Sequence, residues 1–152
     1  MSTSPDGVAD AARFAATDLG AEPVFLMARA ASIGSAEANR RLADLRLKVR
    51  HYSVLSLACS GAAPTQRELS QFLVLDPSQI VAIVDELERR GAVERQTDPR
   101  DRRSKVIVPT EDGRALYAHA REVVDGATET SVAQLSAAEQ GELRRLLQKV
   151  AF

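Results

Sequence analysis

The 152-residue chain is poor in several residue types that define large protein classes. It has one cysteine, Cys59, no tryptophan and only 4% aromatic residues. One cysteine cannot form a disulfide within the chain, which favours a reducing compartment. The sequence also lacks a signal-peptide pattern and any apolar run long enough to span a bilayer. We therefore expect a single cytoplasmic domain, residues 1–152, with no membrane segment.

Sequence patterns of the common enzyme classes are also absent. The chain has no glycine-rich phosphate loop, no nucleophile elbow and no metal-ligand spacing. His51 and His119 lie far apart in the sequence, and no cationic neighbour activates Cys59. We therefore expect no enzyme activity, no cofactor and no metal site. A redox- or metal-responsive protein remains an alternative if the fold brings these residues together.

Neither sign of charge dominates the chain. The formal net charge is −1 and the pI is near 6.1, whereas many DNA-binding domains are basic. The cations are concentrated in one short segment, which could neutralise DNA phosphates. On charge alone, a solvated hairpin explains this segment equally well. The segment contains Arg89, Arg90, Arg95, Arg100, Arg102, Arg103 and Lys105.

Helix signals cover most of the sequence. Thr65 and Glu68 have the spacing of a capping box, and Asp76 with Gln79 repeats it. Gly20 and Gly91 are expected to end helices. The sequence predicts helices over about residues 8–19, 23–45, 48–60, 65–73 and 76–90, a long helix after Thr110 and a last helix after Ser136. Apolar spacing predicts a core that includes Leu69, Phe72, Ile80, Ile83, Val84 and Leu87.

Two strands, over residues 92–96 and 104–108, flank a polar turn. Two helices joined by a tight turn and followed by a basic hairpin describe a helix-turn-helix with a wing. The predicted fold class is therefore mainly α with a two-stranded β wing. A winged-helix scaffold that binds proteins rather than DNA is an alternative, because a fold does not fix its function.

The second helix of this motif offers candidate base contacts. Ile80, Val84 and Leu87 should face the core, so the start of the helix and its other side face outward. Gln79 can bond an adenine edge, and Val81 or Ala82 can pack on a thymine methyl. Ser78 suits a phosphate or base contact, although it could serve only to start the helix. Val81 could instead be a core residue.

The terminal helices carry more apolar residues than a small helix-turn-helix core can cover. Left exposed, they would form a patch of the kind that marks an interface. We expect a two-fold dimer to bury them, although the helices could instead fold back onto their own chain. The residues are Phe14, Leu19, Phe25, Met27, Leu143, Leu146, Leu147, Val150 and Phe152.

Several segments in a fixed order make the chain resemble the MarR family of bacterial regulators. They are Gln66-Arg67-Glu68-Leu69, the run from Leu75 to Val81, the run from Val84 to Gly91, and Asp98-Pro99-Arg100-Asp101-Arg102-Arg103. The resemblance implies a homodimer that binds pseudo-palindromic double-stranded DNA, with residues of about 48–109 on the DNA and helices of about 8–45 and 110–152 forming the dimer. Repression is the family's commoner mode.

The resemblance also implies residue roles. Arg100 would enter the minor groove at the wing tip while Asp98 holds it, and Asp101 with Arg103 would brace the wing by ion pairing. All four could instead only stabilise the hairpin. A small aromatic or phenolic effector would bind near His51 and Tyr52, which could otherwise simply pack against the long helix. The full predicted DNA-binding set is Thr65, Gln66, Ser78, Gln79, Val81, Ala82, Arg89, Asp98, Arg100, Arg102, Arg103 and Lys105. Val81 and Ala82 depart from a frequent family pattern of Thr and Arg.

Overall fold

Helices form most of the protein, whose computed structural model describes residues 11–152. Seven helices follow a short helical segment at residues 11–15, and two antiparallel strands interrupt them. The predicted fold class, mainly α with a two-stranded wing, is confirmed. In chain order the elements are α1 (Asp18–Ala21), α2 (Pro23–Leu42), a 3₁₀ turn (Ala43–Leu45), α3 (Val49–Cys59), α4 (Gln66–Leu73), α5 (Pro77–Arg89), β1 (Val93–Thr97), β2 (Lys105–Pro109), α6 (Glu111–Ser131) and α7 (Ala137–Ala151).

The N-terminal helix does not end where the sequence predicted. Its predicted first residues, 8–10, lie outside the described part of the chain. The helix breaks at residues 16–17, and Thr17 caps the short helix α1, which contains Gly20. A Cβ atom on Gly20 would collide with the backbone of Ala15. Gly20 is therefore needed for a close approach between two helical segments and does not end a helix.

The helix-turn-helix, α4 and α5, packs around a small apolar core. Thr65 caps α4 with the predicted capping box. Leu69, Ile80, Val84 and Leu87 are fully buried, and Val54, Leu55 and Ile107 pack against them. Phe72, also predicted to be buried, is instead 57% exposed, and its ring stacks on that of the C-terminal Phe152 at 5.7 Å between centroids.

The strands form the wing, and each begins one residue later than predicted. They pair from Val93 opposite Pro109 to Thr97 opposite Lys105. The wing is attached to the start of α4 because the Ile107 N–H donates to the Pro64 carbonyl at 2.8 Å. The wing base therefore has a fixed position relative to the helix-turn-helix.

The first turn of α6 is clamped to the end of the motif. The Thr110 hydroxyl donates to the Gly91 carbonyl, and the Thr110 N–H donates to that of Ala92. Gly113 lies so close to the Ala92 carbonyl that a Cβ atom there would collide with it. Gly91 itself ends α5 as predicted, at a φ of 70° that favours glycine.

The terminal helices leave apolar side chains exposed in the single chain, as expected. Helix α7 has no buried residue. Phe14 is 60% exposed, and Leu19, Leu146, Leu147, Val150 and Phe152 are exposed as well. The alternative, in which these helices complete the core of one chain, does not account for this exposure. Within residues 11–152, no helix is both long and apolar enough to cross a membrane.

Candidate nucleic-acid interface

The N-terminal half of α5 presents a small, mostly neutral surface. Ser78, Gln79, Val81 and Ala82 are exposed there. Val81 is 41% exposed, so it faces outward as predicted and is not a core residue. The Asp76 carboxylate caps the helix by accepting from the Ser78 N–H at 2.8 Å and from its hydroxyl. These hydrogen bonds lower the pKa of Asp76.

The Gln79 side chain does not complete a capping box with Asp76. Its amide oxygen instead accepts a hydrogen bond from Arg50 Nη1 at 2.6 Å. Arg50 lies on α3 and is exposed. No sequence pattern indicated this contact, because 29 positions separate the two residues. Arg50 adds a cation to the edge of the surface formed by α5.

The wing tip holds one arginine in a defined position. The Arg100 guanidinium donates from Nε to Asp98 Oδ1 and from Nη2 to Oδ2, each at 3.0 Å, and its backbone N–H donates to Oδ1 at 2.8 Å. Asp98 is only 4% exposed, whereas the Arg100 side chain is 63% exposed. The guanidinium lowers the pKa of Asp98. Asp98 thus holds Arg100 as the resemblance implied.

The cations of the basic segment differ in their partners. Arg89, Arg102, Arg103 and Lys105 are exposed. Arg90 instead donates to the backbone carbonyls of Leu45 and Arg46, each at 2.9 Å. The Arg90 guanidinium is therefore engaged by the backbone of its own chain, although the residue is exposed.

Arg95 links three elements. It pairs with Asp85 and Glu88 of α5, and its Nε donates to the Gln66 amide oxygen of α4 at 2.9 Å. The guanidinium is thus neutralised by two carboxylates. Its position fixes β1 against the helix-turn-helix.

The braces of the wing also differ from expectation. Asp101 accepts from the backbone N–H of Arg103 at 3.0 Å and from the Ser104 hydroxyl, where an ion pair with Arg103 was expected. Lys105 Nζ donates across the strands to the Thr97 hydroxyl at 2.8 Å. The Arg103 guanidinium is therefore not required to close the turn.

At the start of α4, the predicted contact residues also have structural partners. The Thr65 hydroxyl accepts from the Glu68 N–H and donates to its carboxylate, and Gln66 is engaged by Arg95. Gln66, with Val81, lines a cleft of about 410 Å³ between α4 and α5. The exposed Arg67 lines the same cleft and was missed, although its place at the second position of a capped helix could have indicated it.

The two predicted effector residues face different neighbours. His51 Nε2 lies 3.1 Å from the Glu86 carboxylate, and its Nδ1 accepts from the Lys48 N–H. The Tyr52 ring stacks on that of Tyr117 of α6 at 5.9 Å, and burial raises the pKa of Tyr52. Tyr52 therefore packs against the long helix α6, whereas His51 contacts Lys48 and Glu86. His51 lines an open cleft of about 540 Å³ together with Arg46, Lys48, Asn39 and Glu86.

Cys59 is half-buried, and this burial raises the pKa of its thiol despite the nearby Arg114. A raised pKa disfavours the reactive thiolate. Across the described residues, no three His, Cys, Asp or Glu side chains are grouped in a way that could hold a metal ion. The geometry therefore gives no support to a redox- or metal-responsive site.

Comparisons with known proteins agree with this architecture. The model of the MarR family matches residues 48–105, from the start of α3 to the start of β2. The HTH-type transcriptional repressor Rv2887 of Mycobacterium tuberculosis is 28% identical over 126 residues, covering 83% of this chain and 91% of the relative. A structure of that protein contains salicylic acid.

Two solved structures are more similar in sequence. A MarR-family regulator from Rhodococcus sp. RHA1 is 40% identical with a TM-score of 0.84, covering 90% of this chain and 97% of that one. CouR from Rhodococcus jostii RHA1, bound to p-coumaroyl-CoA, is 40% identical with a TM-score of 0.80, covering 90% and 96%. An exposed helix-turn-helix, a wing with a held arginine and relatives of this similarity lead to one conclusion: the chain belongs to the MarR family of DNA-binding transcriptional regulators and is not an enzyme.

Proposed function

We propose that this protein is a cytoplasmic, dimeric repressor that leaves its operator when it binds a small aromatic acid or the coenzyme A thioester of one. The observation that carries the proposal is the wing tip, where a nearly buried carboxylate holds an exposed arginine. The Arg100 side chain remains 63% exposed, so the pair adds less to stability than a fully buried pair would and leaves the cation presented outward. The arrangement is therefore better explained by a DNA contact than by hairpin stability.

The DNA-binding part comprises residues of about 48–109. Ser78, Gln79, Val81 and Ala82 of α5 face the major groove, and Arg100 enters the adjacent minor groove, where a narrow groove has a more negative potential. Exposed cations and residues at the start of α4 contact the DNA phosphates. Such contacts position the protein on the DNA without specifying sequence. These residues are Thr65, Gln66, Arg89, Arg102, Arg103 and Lys105.

The dimer is formed by helices of about 8–45 and 110–152. The exposed apolar residues of α1, α2 and α7 support it, because monomeric proteins rarely leave a large contiguous apolar patch uncovered. A two-fold axis between these helices would place two α5 helices about one DNA turn (~34 Å) apart. The operator is therefore a pseudo-palindrome.

The effector site lies beside His51 and Tyr52. The cleft next to His51 contains Arg46 and Lys48, which suit the carboxylate of an aromatic acid or the phosphates of coenzyme A. The p-coumaroyl-CoA of CouR and the salicylic acid of the mycobacterial relative support these two effector classes. Glu86, which belongs to α5, lines this cleft and contacts His51, so an effector bound there can alter the helix that contacts DNA.

One experiment tests the proposal. The purified protein selects sequences from a pool of random duplex DNA, and the bound complex is then titrated with p-coumaroyl-CoA, p-coumarate, salicylate and coenzyme A. We expect a pseudo-palindromic consensus and its release by a thioester or an acid, but not by coenzyme A alone. Failure to enrich any sequence contradicts a sequence-specific repressor. A consensus that no compound releases contradicts only the effector.

A further inference from the structure

The contact between Arg50 and Gln79 joins two exposed side chains from different helices. Arg50 is in the first turn of α3, and Gln79 is in the first turn of α5. Arg50 Nη1 lies 2.6 Å from Gln79 Oε1. Neither residue is needed to fill the core, so the contact affects the exposed surface of α5 more than the stability of the fold.

The chemistry of the two side chains fixes which end of the amide faces Arg50. A guanidinium has five N–H donors and no acceptor, whereas an amide has an accepting oxygen and a donating NH₂ group. Arg50 can therefore hold Gln79 only by its oxygen. A flip of the amide would place two donors against each other and lose the hydrogen bond. The amide nitrogen is the end that remains for another partner.

We propose that Arg50 is a specificity-determining residue, because it fixes Gln79 as a hydrogen-bond donor toward the bases. This inference rests on the proposed function, in which α5 enters the major groove. A donor selects base edges that present acceptors, which are O6 and N7 of guanine, O4 of thymine and, beside its N6 donor, N7 of adenine. Cytosine presents a donor at N4 and is rejected.

Adenine is also disfavoured, for a geometric reason. A glutamine recognises adenine by donating to N7 and accepting from N6 at the same time. That pairing requires the amide to lie edge to edge with the base. The amide oxygen retains a second lone pair, but the bond to Arg50 draws the oxygen toward α3 and limits how the amide can turn its edge toward a base. The expected base at this position is therefore guanine or thymine, rather than the adenine suggested by the glutamine alone.

The test is selection from random duplex DNA at one salt concentration with the full-length protein and four variants. Gln79→Ala identifies the position in each half-site that Gln79 contacts, because preference is lost there. Arg50→Ala frees the amide, and we expect adenine to rise at that position by about fivefold or more relative to guanine and thymine, the lower end of what one bidentate contact discriminates. Arg50→Lys, which still donates to the oxygen, should restore much of the original preference.

Lys105→Ala is the matched control, since it removes one exposed cation from the wing without touching Gln79. It should weaken all sequences alike and leave the consensus unchanged. If Arg50→Ala behaves in the same way, Arg50 contacts only phosphate and the inference is overturned. It is also overturned if Arg50→Ala keeps the wild-type base pair and its preference at the Gln79 position, or if Gln79→Ala keeps the full consensus. A wild-type protein that selects no sequence overturns the proposed function and this inference together.

Discussion

Substitutions of Arg100 and of Asp98 test whether Asp98 positions the Arg100 guanidinium for DNA binding. Arg100→Ala should weaken operator binding by about 1–3 kcal/mol, which is about 5- to 150-fold in Kd, the scale of one good groove contact. The fold should survive because the side chain is 63% exposed.

Asp98→Asn has the same shape as the original side chain, and its oxygen can still accept from the Arg100 N–H. It loses the charge that aligns the guanidinium, so Arg100 must be immobilised when DNA binds. Immobilising such a side chain costs about 0.5–1.5 kcal/mol, which is about 2- to 13-fold in Kd. The opposing effect is the loss of a negative charge near phosphates, worth about 0.4 kcal/mol at about 10 Å in water and less in salt. The loss of alignment is larger, so Asp98→Asn should weaken binding.

A double-mutant cycle separates positioning from a purely structural role. Electrophoretic titration of the selected operator at fixed salt gives Kd for both single variants and for the double variant. If Asp98 acts through Arg100, Asp98→Asn should have little effect in the Arg100→Ala background. Equal losses in both backgrounds would refute the reasoning, and so would tighter binding by Asp98→Asn.

Three further predictions concern the rest of the chain. Leu146→Glu should place charge in the proposed dimer seam and lower dimer stability and DNA affinity together; sedimentation equilibrium showing an intact dimer would contradict the seam. Hydrogen bonds from Arg40 and Arg41 lower the pKa of Glu37 to about 2. Its stabilising contribution is therefore present above its unfolded pKa of 4.5 and is lost as the pH falls toward 2, so denaturant unfolding should show a smaller acid-induced loss for Glu37→Gln. Because burial raises its thiol pKa, Cys59 should react slowly with a thiol reagent at pH 7, and peroxide should affect the operator binding of wild type and Cys59→Ser equally.

Sequence patterns between neighbouring residues correctly predicted the structural features that depend on neighbouring residues. The capping box of Thr65, the cap at Asp76 and the helix end at Gly91 each involve residues at most three positions apart, and all three were confirmed. The buried stripe of α5 follows from helical spacing alone. The wing strands were displaced by one residue because their ends depend on pairing across the hairpin.

Contacts between distant residues account for what the sequence did not predict. Phe72 has the spacing of a core residue, but its ring lies against Phe152, 80 positions away, on the surface. Arg95 belongs to the basic segment by composition, yet two carboxylates of α5 neutralise it. The partner of Gln79 on α3 could not be found from periodicity, because only the packing of α3 on α5 brings the two together.

Thr110 and Gly113 join the first turn of α6 to the residues that follow α5. A change in the direction of α6 therefore also moves the end of α5. The 21 residues of α6 span about 31 Å at 1.5 Å per residue. A 5° change in the direction of this helix, pivoting at its dimer end, displaces the clamped end by about 2.7 Å over that length. That displacement is nearly the length of a hydrogen bond, and in a symmetric dimer it occurs at both half-sites. If the terminal helices form the dimer as proposed, such a tilt would move both α5 helices relative to one turn of DNA.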